Sequence, residues 1–230
     1  VSLSVFGGMP LPLAALATLL FCAYMALFPA LLGGVFHRFL PQSRWAQALL
    51  FAGLWALADL LRGCLFTGFP WLALGYSQVP PSPLAGFAPL FGVYGLSLFL
   101  ALMGAWLWWR PWGWLGIVLL LAGGWGLRQM AWTEPVGEPV SVALIQGNVP
   151  QDLKWQPQRF IATMLLYRDL VARHPAQLTI LPETALPAFL DQVPQDYLAE
   201  LKALAQRQQG DLLLGAPTGA GESYWNSAVS

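Results

Sequence analysis

The stretch LPLAALATLLFCAYMALFPALLGGVF, residues 11–36, is a run of twenty-six residues without a formal charge. A helix of about 20 apolar residues crosses the ~30 Å hydrocarbon core of a bilayer. The run is therefore long enough to span a membrane as one helix. It predicts an integral membrane protein, and the neighbouring segments extend this interpretation.

Further apolar segments follow. Residues 63–109 carry no charge, which is too long a run for one crossing, and residues 64–83 are rich in Gly and Pro. Both residue types interrupt helices, and irregular backbone at membrane depth persists only where protein or water satisfies its polar groups. We therefore expect residues 64–83 to form an interfacial or re-entrant loop. The predicted membrane spans are residues 11–36, 45–63, 84–109 and 112–132.

Charge divides the chain into two domains. Residues 1–132 carry six of the twenty-two formal charges, and residues 133–230 carry the other sixteen. A hydrophobic fraction of 57% is high for a soluble protein, and the excess lies in the first part. We predict a helical transmembrane domain over residues 1–132 and a water-facing domain over residues 133–230. The net charge of zero gives no indication of a nucleic-acid-binding surface.

The arginines of the short loops predict the orientation. Arg38 and Arg44 flank the first connection and Arg110 follows the third span, whereas residues 64–83 contain neither Lys nor Arg. Basic connections are retained in the cytoplasm. With four crossings, the domain after residue 132 would then lie on the periplasmic face of a bacterial inner membrane. Arg62 and Arg128, near the outer ends of the second and fourth spans, count against this orientation.

The second domain has the pattern of an α/β fold. Short apolar runs alternate with amphipathic helical segments in the order β-α-β-α-β-β. Continuous apolar strands between helices indicate a layered domain with parallel strands. The predicted strands are residues 140–146, 178–182, 211–217 and a fourth beginning at 224, and the predicted helices are residues 156–174 and 194–209. The sequence ends inside the fourth strand, so we expect this domain to be incomplete.

Glu183 lies directly after the second strand, between two prolines. A partly desolvated carboxylate at such a strand end can act as a general base near neutral pH. The alternative is a helix-capping or solvated loop residue. A parallel arrangement would bring the turn of residues 143–155 to the same edge of the sheet, so that two loops frame one pocket. Trp155 in that turn is either a core residue, the simpler interpretation, or a wall of the pocket.

Asp59 and Arg62 lie three residues apart on the second predicted span. This spacing allows them to pair on one helix face, which lowers the cost of placing each charge near hydrocarbon. An intramembrane ionisable pair is a candidate functional site, here one that meets a lipid headgroup. A purely structural clamp is an equal alternative.

Four segments together resemble a known family: TGFPWLALGYSQ (67–78), ALIQGNVPQDLKW (143–155), LTILPETALP (178–187) and YWNSAVS (224–230). In this order they resemble the bacterial apolipoprotein N-acyltransferases, membrane members of the nitrilase superfamily. The resemblance implies a nitrilase-like α-β-β-α domain on a multi-span α-helical bundle. It also implies a Glu-Lys-Cys triad whose glutamate matches Glu183.

The reaction implied by the resemblance is acyl transfer. The family takes an acyl chain from a phospholipid, holds it as a cysteine thioester, and passes it to the N-terminal amine of a diacylglyceryl-cysteine lipoprotein. No metal or organic cofactor is implied, and we expect a monomer. Candidate substrate-binding residues are Gln151, Trp155, Phe69, Trp71, Tyr76 and Asn226. For the loop aromatics Phe69, Trp71 and Tyr76, anchoring at the membrane interface is an equal alternative.

The sequence departs from the family's pattern in the triad. The family's lysine and cysteine lie beyond the strand matched by residues 224–226, and neither Lys154 nor Lys202 matches that lysine. Cys22 and Cys64 lie in apolar spans, where a free cysteine behaves as a small apolar residue. We therefore expect this chain alone to be inactive and assign the reaction to the full-length protein.

Two other functions remain as alternatives. One is a membrane-tethered amidase of the same superfamily, which would give the acyl group to water. The other is a non-enzymatic membrane protein with an accessory α/β domain, in which Glu183 has no catalytic role.

Overall fold

A computed structural model describes residues 2–78, 81–108, 113–207, 209–221 and 223–230, with the backbone alone for Asp152 and Ala220. The chain forms two compact units. One comprises residues 9–135 and is helical; the other comprises residues 136–230 together with 1–8 and contains the sheet. A short π-helical turn, Ser2–Phe6, precedes the first long helix.

The helical unit contains helices that match the predicted apolar segments. Helix α1 is Leu11–Arg38, α2 is Arg44–Cys64, α3 is Ala88–Leu107 and α4 is Gly113–Arg128. Among the described residues, three segments are long and apolar enough to cross a membrane: Leu11–Arg38, Arg44–Thr67 and Pro83–Leu107. The multi-span helical bundle is therefore confirmed.

The fourth predicted span stays a prediction. Helix α4 has 16 residues, which is slightly shorter than the roughly 17–25 residues of a spanning helix. Residues 109–112, where the third predicted span ends and the fourth begins, lie outside the described residues. Arg110, which supports the predicted orientation, is among them.

Helices α2 and α3 pack closely through small side chains. Ala48 and Ala52 of α2 meet Ala101 and Leu102 of α3 in a buried cluster. Small residues allow backbones to approach closely, which is how helices associate in lipid without a hydrophobic driving force. Large apolar side chains instead point outward along these helices, as expected for a lipid-facing surface.

The connection between α2 and α3 is irregular, as predicted. Its described residues, 65–78 and 81–87, include three 3₁₀ turns, Leu65–Thr67, Leu74–Gln78 and Pro83–Phe87. Backbone breaks continue into the start of α3, where Gly92 adopts a φ of 61°. The loop is therefore held by tertiary contacts and not by regular secondary structure.

The second unit is an α/β domain with the predicted order of elements. Its strands are β1 (Val142–Leu144), β2 (Leu178–Ile180), β3 (Asp211–Ala220) and β4 (Ser223–Val229). Its helices are α5 (Gln151–Lys154), α6 (Pro157–Arg173) and α7 (Gln195–Arg207). The sheet order is β1-β2-β3-β4, with β1, β2 and β3 parallel and β4 antiparallel to β3. The α/β layered class is confirmed.

The core of this unit lies between the sheet and helices α6 and α7. Val171, Leu186, Leu201 and Ala216 are almost fully buried in it. Strand β1 is not buried on both faces, because Val142 and Leu144 are exposed. One face of this apolar strand is therefore open among the described residues.

Candidate functional site

A tight turn after strand β2 fixes the backbone of Glu183. Leu181 donates its N–H to the carbonyl oxygen of Leu213 at 2.8 Å, and Ala185 donates to that of Gly215 at 2.9 Å. These two bonds hold the segment between Leu181 and Ala185 against β3. The sheet therefore sets the position of Glu183.

Gly215 permits this close approach. A Cβ atom at this position would lie 2.7 Å from both the carbonyl oxygen of Pro182 and the amide nitrogen of Thr184. Thr184 adopts a φ of 50°, in the left-handed region that a β-branched residue rarely occupies. Backbone strain of this kind often accompanies functional sites, where the surrounding structure maintains it.

Two other segments reach Glu183. The Nδ2 atom of Asn226, on β4, donates to Glu183 Oε1 at 2.5 Å. Lys154, the last residue of α5, donates from Nζ to the carbonyl oxygen of Glu183 at 3.2 Å. Because α5 follows β1, these contacts confirm the prediction that the ends of β1 and β2 meet at one edge.

Glu183 itself is exposed. The sequence led us to expect a partly desolvated carboxylate. The residues that the structure describes do not shield Glu183 from solvent in this way. Its geometry is nevertheless defined, because an amide donor fixes one oxygen and the sheet fixes the backbone. A carboxylate held in this way can accept a proton from a group placed at its second oxygen.

The turn after β1 is built around residues 146–148. Asn148 adopts a φ of 49°, and its Oδ1 accepts a hydrogen bond from Gln146 Nε2 at 2.8 Å. A Cβ atom at Gly147 would lie 2.8 Å from the hydroxyl of Tyr167. Burial raises the pKa of Tyr167, and the backbone hydrogen bond with Gly147 opposes this shift. Gly147 is thus needed for the turn to pack on α6.

Gln151 and Trp155 lie at the two ends of helix α5. Gln151 is the first residue of α5 and is exposed. Trp155 follows α5 and is 57% exposed. The interpretation of Trp155 as a core residue is therefore wrong, and its role as a pocket wall stays a prediction.

A second cluster lies in the helical unit, where Asp59 and Arg62 pair as predicted. Arg62 Nη2 lies 2.9 Å from Asp59 Oδ1. The other carboxylate oxygen of Asp59 accepts from Ser97 Oγ at 2.7 Å and from the N–H of Leu74 at 3.0 Å. Asp59 therefore connects α2 to α3 and to the loop between them.

Arg62 also borders a cavity of about 200 Å³ between α1 and α2. Its Nε atom is buried and has no hydrogen-bond partner among the described residues. A buried donor without an acceptor is costly. Arg62 therefore combines a place at the wall of this cavity with one buried donor that the described residues leave unpaired.

The loop aromatics lie in different surroundings. Phe69 packs edge-to-face on Phe21 of α1, with ring centroids 5.1 Å apart. Trp71 and Tyr76 are exposed. Loop residues Phe66 and Leu72 adopt φ values of 52° and 62°, and both side chains are 85% exposed.

In the described ranges, no group of three His, Cys, Asp or Glu side chains lies close enough to hold a metal ion. Cys22 and Cys64 are free and exposed on α1 and α2.

Two family models match the two units. Residues 1–106 match the apolipoprotein N-acyltransferase N-terminal domain, and residues 141–230 match carbon-nitrogen hydrolase. The chain belongs to the apolipoprotein N-acyltransferase family. The second match covers the sheet and the turn at Glu183.

Curated apolipoprotein N-acyltransferases are similar to the whole chain. The protein from Nitrosomonas europaea is 52% identical over 100% of this chain and 48% of its own length. That from Methylococcus capsulatus is 41% identical over 100% of this chain and 48% of its own length. That from Ralstonia nicotianae is 42% identical over 99% of this chain and 45% of its own length. The chain thus spans about half the length of these members of the apolipoprotein N-acyltransferase family.

Sequence reasoning missed three residues that hold these sites in place. Lys154 does not match the family's lysine, yet it contacts the backbone of Glu183. Gly215 and Ser97 belong to none of the sequence motifs described above. Gly215 lies inside an apolar strand and Ser97 inside an apolar span, so a small residue at each position was the only available signal.

Proposed function

We propose that the full-length protein transfers an acyl chain from a phospholipid to the N-terminal amine of a diacylglyceryl-cysteine lipoprotein. The observation that carries this proposal is the fixed glutamate at the end of β2. Asn226 holds the side chain of Glu183, and the backbone bonds of Leu181 and Ala185 to β3 hold the turn that carries it. The family match of both units supports the same reaction.

In the first half-reaction, the glutamate acts as a general base. Glu183 accepts the proton of a cysteine thiol, and the sulfur attacks the carbonyl carbon of the phospholipid ester. The ester C–O bond breaks, a thioester forms, and the lysophospholipid alcohol leaves with the proton that Glu183 held. A positioned base of this kind contributes about 10²–10⁴-fold in rate.

In the second half-reaction, the lipoprotein amine attacks the thioester. The amide C–N bond forms, the C–S bond breaks, and Glu183 relays a proton from the amine to the leaving thiolate. A lysine would stabilise the oxyanion of each tetrahedral intermediate. The thiol and this lysine belong to the rest of the full-length protein, which would also cover the exposed carboxylate.

The two domains are proposed to divide the work. Residues 1–132 form the transmembrane domain and residues 133–230 contribute to the nitrilase-like domain on the periplasmic face of the inner membrane, in a monomer. The arginines of the first connection support this orientation. Asn226 would hold the glutamate, while Gln151 and Trp155 would contact the acyl chain.

The helical unit is proposed to meet the phospholipid. Arg62 lines a cavity between α1 and α2, and its guanidinium would pair with the phosphate of a lipid headgroup bound there. Asp59 would hold the guanidinium in place for this contact. The loop residues Phe69, Trp71 and Tyr76 would line the path of the lipid.

The test is Glu183→Gln in the full-length protein. Glutamine keeps an oxygen that can accept from Asn226, so folding is retained while the base is lost. We expect lipoproteins to retain a free amine by mass spectrometry and the hydroxylamine-labile thioester to fall by at least about 10²-fold. Glu138→Gln, at an exposed position, is the matched control.

The same measurement separates the alternatives. Unchanged lipoprotein acylation in the Glu183→Gln variant would contradict the acyltransferase proposal and favour a non-enzymatic protein. Free fatty acid as the product, with no acylated lipoprotein, would favour the amidase.

A further inference from the structure

The Asp59 cluster is a buried polar network inside an apolar bundle. Asp59 is 7% exposed and Ser97 is fully buried. Charged and polar groups at such positions are costly and are usually paired. The contacts of this network therefore indicate what it stabilises.

Most of the network is directed at the loop between α2 and α3. Asp59 accepts the N–H of Leu74 at 3.0 Å, and Ser97 Oγ accepts the N–H of Gly75 at 2.9 Å. Ser97 in turn donates to Asp59 at 2.7 Å. Two consecutive loop amides are thus bound by one carboxylate and one hydroxyl.

The loop is also pressed against α3 at this point. A Cβ atom at Gly75 would collide with the backbone carbonyl of Val93. Only a glycine allows the Leu74 and Gly75 amides to reach Asp59 and Ser97. The close approach and the two hydrogen bonds therefore fix the same stretch of loop.

The neighbouring stretch of the loop is exposed and strained. Trp71 and Leu72 project from the segment just before the bound amides, and Leu72 has a positive φ. Exposed bulky residues in a strained conformation require firm support from the residues that follow. That support comes from Asp59 and Ser97.

We propose that Asp59 and Ser97 are positioning residues that hold the Trp71–Leu72 segment in the conformation that receives the phospholipid. This inference rests on the proposed acyltransferase function. It assigns to the network a role in phospholipid capture, beyond the joining of two helices. Neither residue touches the reacting atoms.

The experiment uses the full-length protein in detergent micelles, with phospholipid as the acyl donor and the cysteine thioester as the readout. Ser97→Ala removes the acceptor for the Gly75 amide and the donor to Asp59. Asp59→Ala removes the carboxylate, whereas Asp59→Asn keeps an oxygen for Leu74 and Ser97. Thr18→Ala, which removes a hydroxyl bonded within α1, is the matched control.

We expect Ser97→Ala to raise the KM for phospholipid about three- to tenfold, the factor expected for one lost hydrogen bond, with kcat changed less than about twofold. Hydrogen exchange of the peptide containing Leu74 and Gly75 should accelerate in the same variant. Asp59→Asn, which keeps an oxygen for Leu74 and Ser97 but loses the ion pair with Arg62, should raise the KM less than Asp59→Ala does. The Thr18→Ala variant should match the wild type.

Accelerated exchange with an unchanged KM would overturn the inference, because the network would then be a structural clamp only. Unchanged exchange in Ser97→Ala would also overturn it. A wild-type protein that forms no thioester would instead contradict the proposed function itself, and the inference would fail with it.

Discussion

Gly215 shows how a residue without a side chain controls the position of the candidate base. Its hydrogen atom occupies the space between β3 and the Glu183 turn, where a methyl group would lie 2.8 Å from the Cα atom of Glu183. The turn would have to move to accept it. A shift of about 1 Å at a reacting group costs about 10²-fold in rate.

We therefore expect Gly215→Ala to reduce thioester formation by about 10²-fold and to destabilise the protein by about 1–3 kcal/mol through overpacking. Gly219→Ala is a matched control on the same strand, because its Cβ atom would lie no closer than 3.5 Å to Phe189. The measurements are thioester yield and melting temperature of the full-length protein. Equal effects of the two substitutions would contradict this account.

At the residue scale, the sequence singled out Glu183 as the candidate base but not the hydrogen bonds that hold it. Glu183 stands out because a carboxylate follows an apolar strand and is flanked by prolines. Its contacts with Asn226 and Lys154 join residues 43 and 29 positions apart. Such contacts depend on strand register, which a single sequence leaves open.

At the scale of elements, helices α6 and α7 are joined by a buried tyrosine. Tyr197 donates from its hydroxyl to the carbonyl oxygen of Met164 at 2.9 Å. Arg168 of α6 lies 3.9 Å from Glu200 of α7 at the edge of this contact. Burial raises the pKa of Tyr197, the nearby Arg168 lowers it, and the first effect is larger.

This shift predicts a loss of stability at alkaline pH. An unfolded tyrosine releases its proton near pH 10, whereas Tyr197 in the folded protein retains it at higher pH. Above about pH 10 the unfolded state therefore binds fewer protons, and the free energy of unfolding falls by up to about 1.4 kcal/mol per pH unit. Below that pH the contribution is constant.

Tyr197→Phe should lower the melting temperature at pH 8, because a hydrogen bond worth about 1 kcal/mol is lost. Between pH 10 and pH 11 the melting temperature of this variant should fall less steeply than that of the wild type. Tyr224→Phe, at a position that is 76% exposed, should leave the slope unchanged. If the melting temperatures of wild type and Tyr197→Phe fall in parallel with pH, burial of this hydroxyl does not affect the pH dependence of stability.

The order of elements followed from the sequence, whereas several of their limits did not. Apolar runs separated by amphipathic segments predict a parallel sheet, and β1 to β3 form one. Strand β3 continues to Ala220, three residues past the predicted end, because it pairs with β4. The loop between α2 and α3 was predicted as irregular, but its conformation depends on Asp59, which lies 15 positions before Leu74.

At the scale of the whole molecule, the chain contains one unit with an apolar surface suited to lipid and one unit with its apolar core inside, suited to water. The helical unit exposes large apolar side chains and buries Asp59 and Ser97, whereas the sheet unit has a buried apolar core. This division follows from the uneven distribution of charge along the sequence. Which side of the membrane receives the sheet unit is decided by the basic residues of the connections.

The positive-inside rule predicts a definite topology. The connection between α1 and α2 is flanked by Arg38 and Arg44 and should lie in the cytoplasm. A green fluorescent protein inserted after residue 41 should therefore fluoresce, and alkaline phosphatase at that site should be inactive. Alkaline phosphatase fused after residue 78 or residue 135 should be active, because both sites would be periplasmic.

The control is the same set of fusions in an Arg38→Ala, Arg44→Ala background. Without both charges, the first connection loses its preference for the cytoplasm. Both reporters should then be partly active at residue 41, at an unchanged level of expression. Active phosphatase at residue 41 in the unaltered chain, with fluorescence at residue 135, would place the sheet unit in the cytoplasm. Glu183 would then lie on the opposite side of the membrane from a periplasmic lipoprotein amine, and the proposed transfer would not occur there.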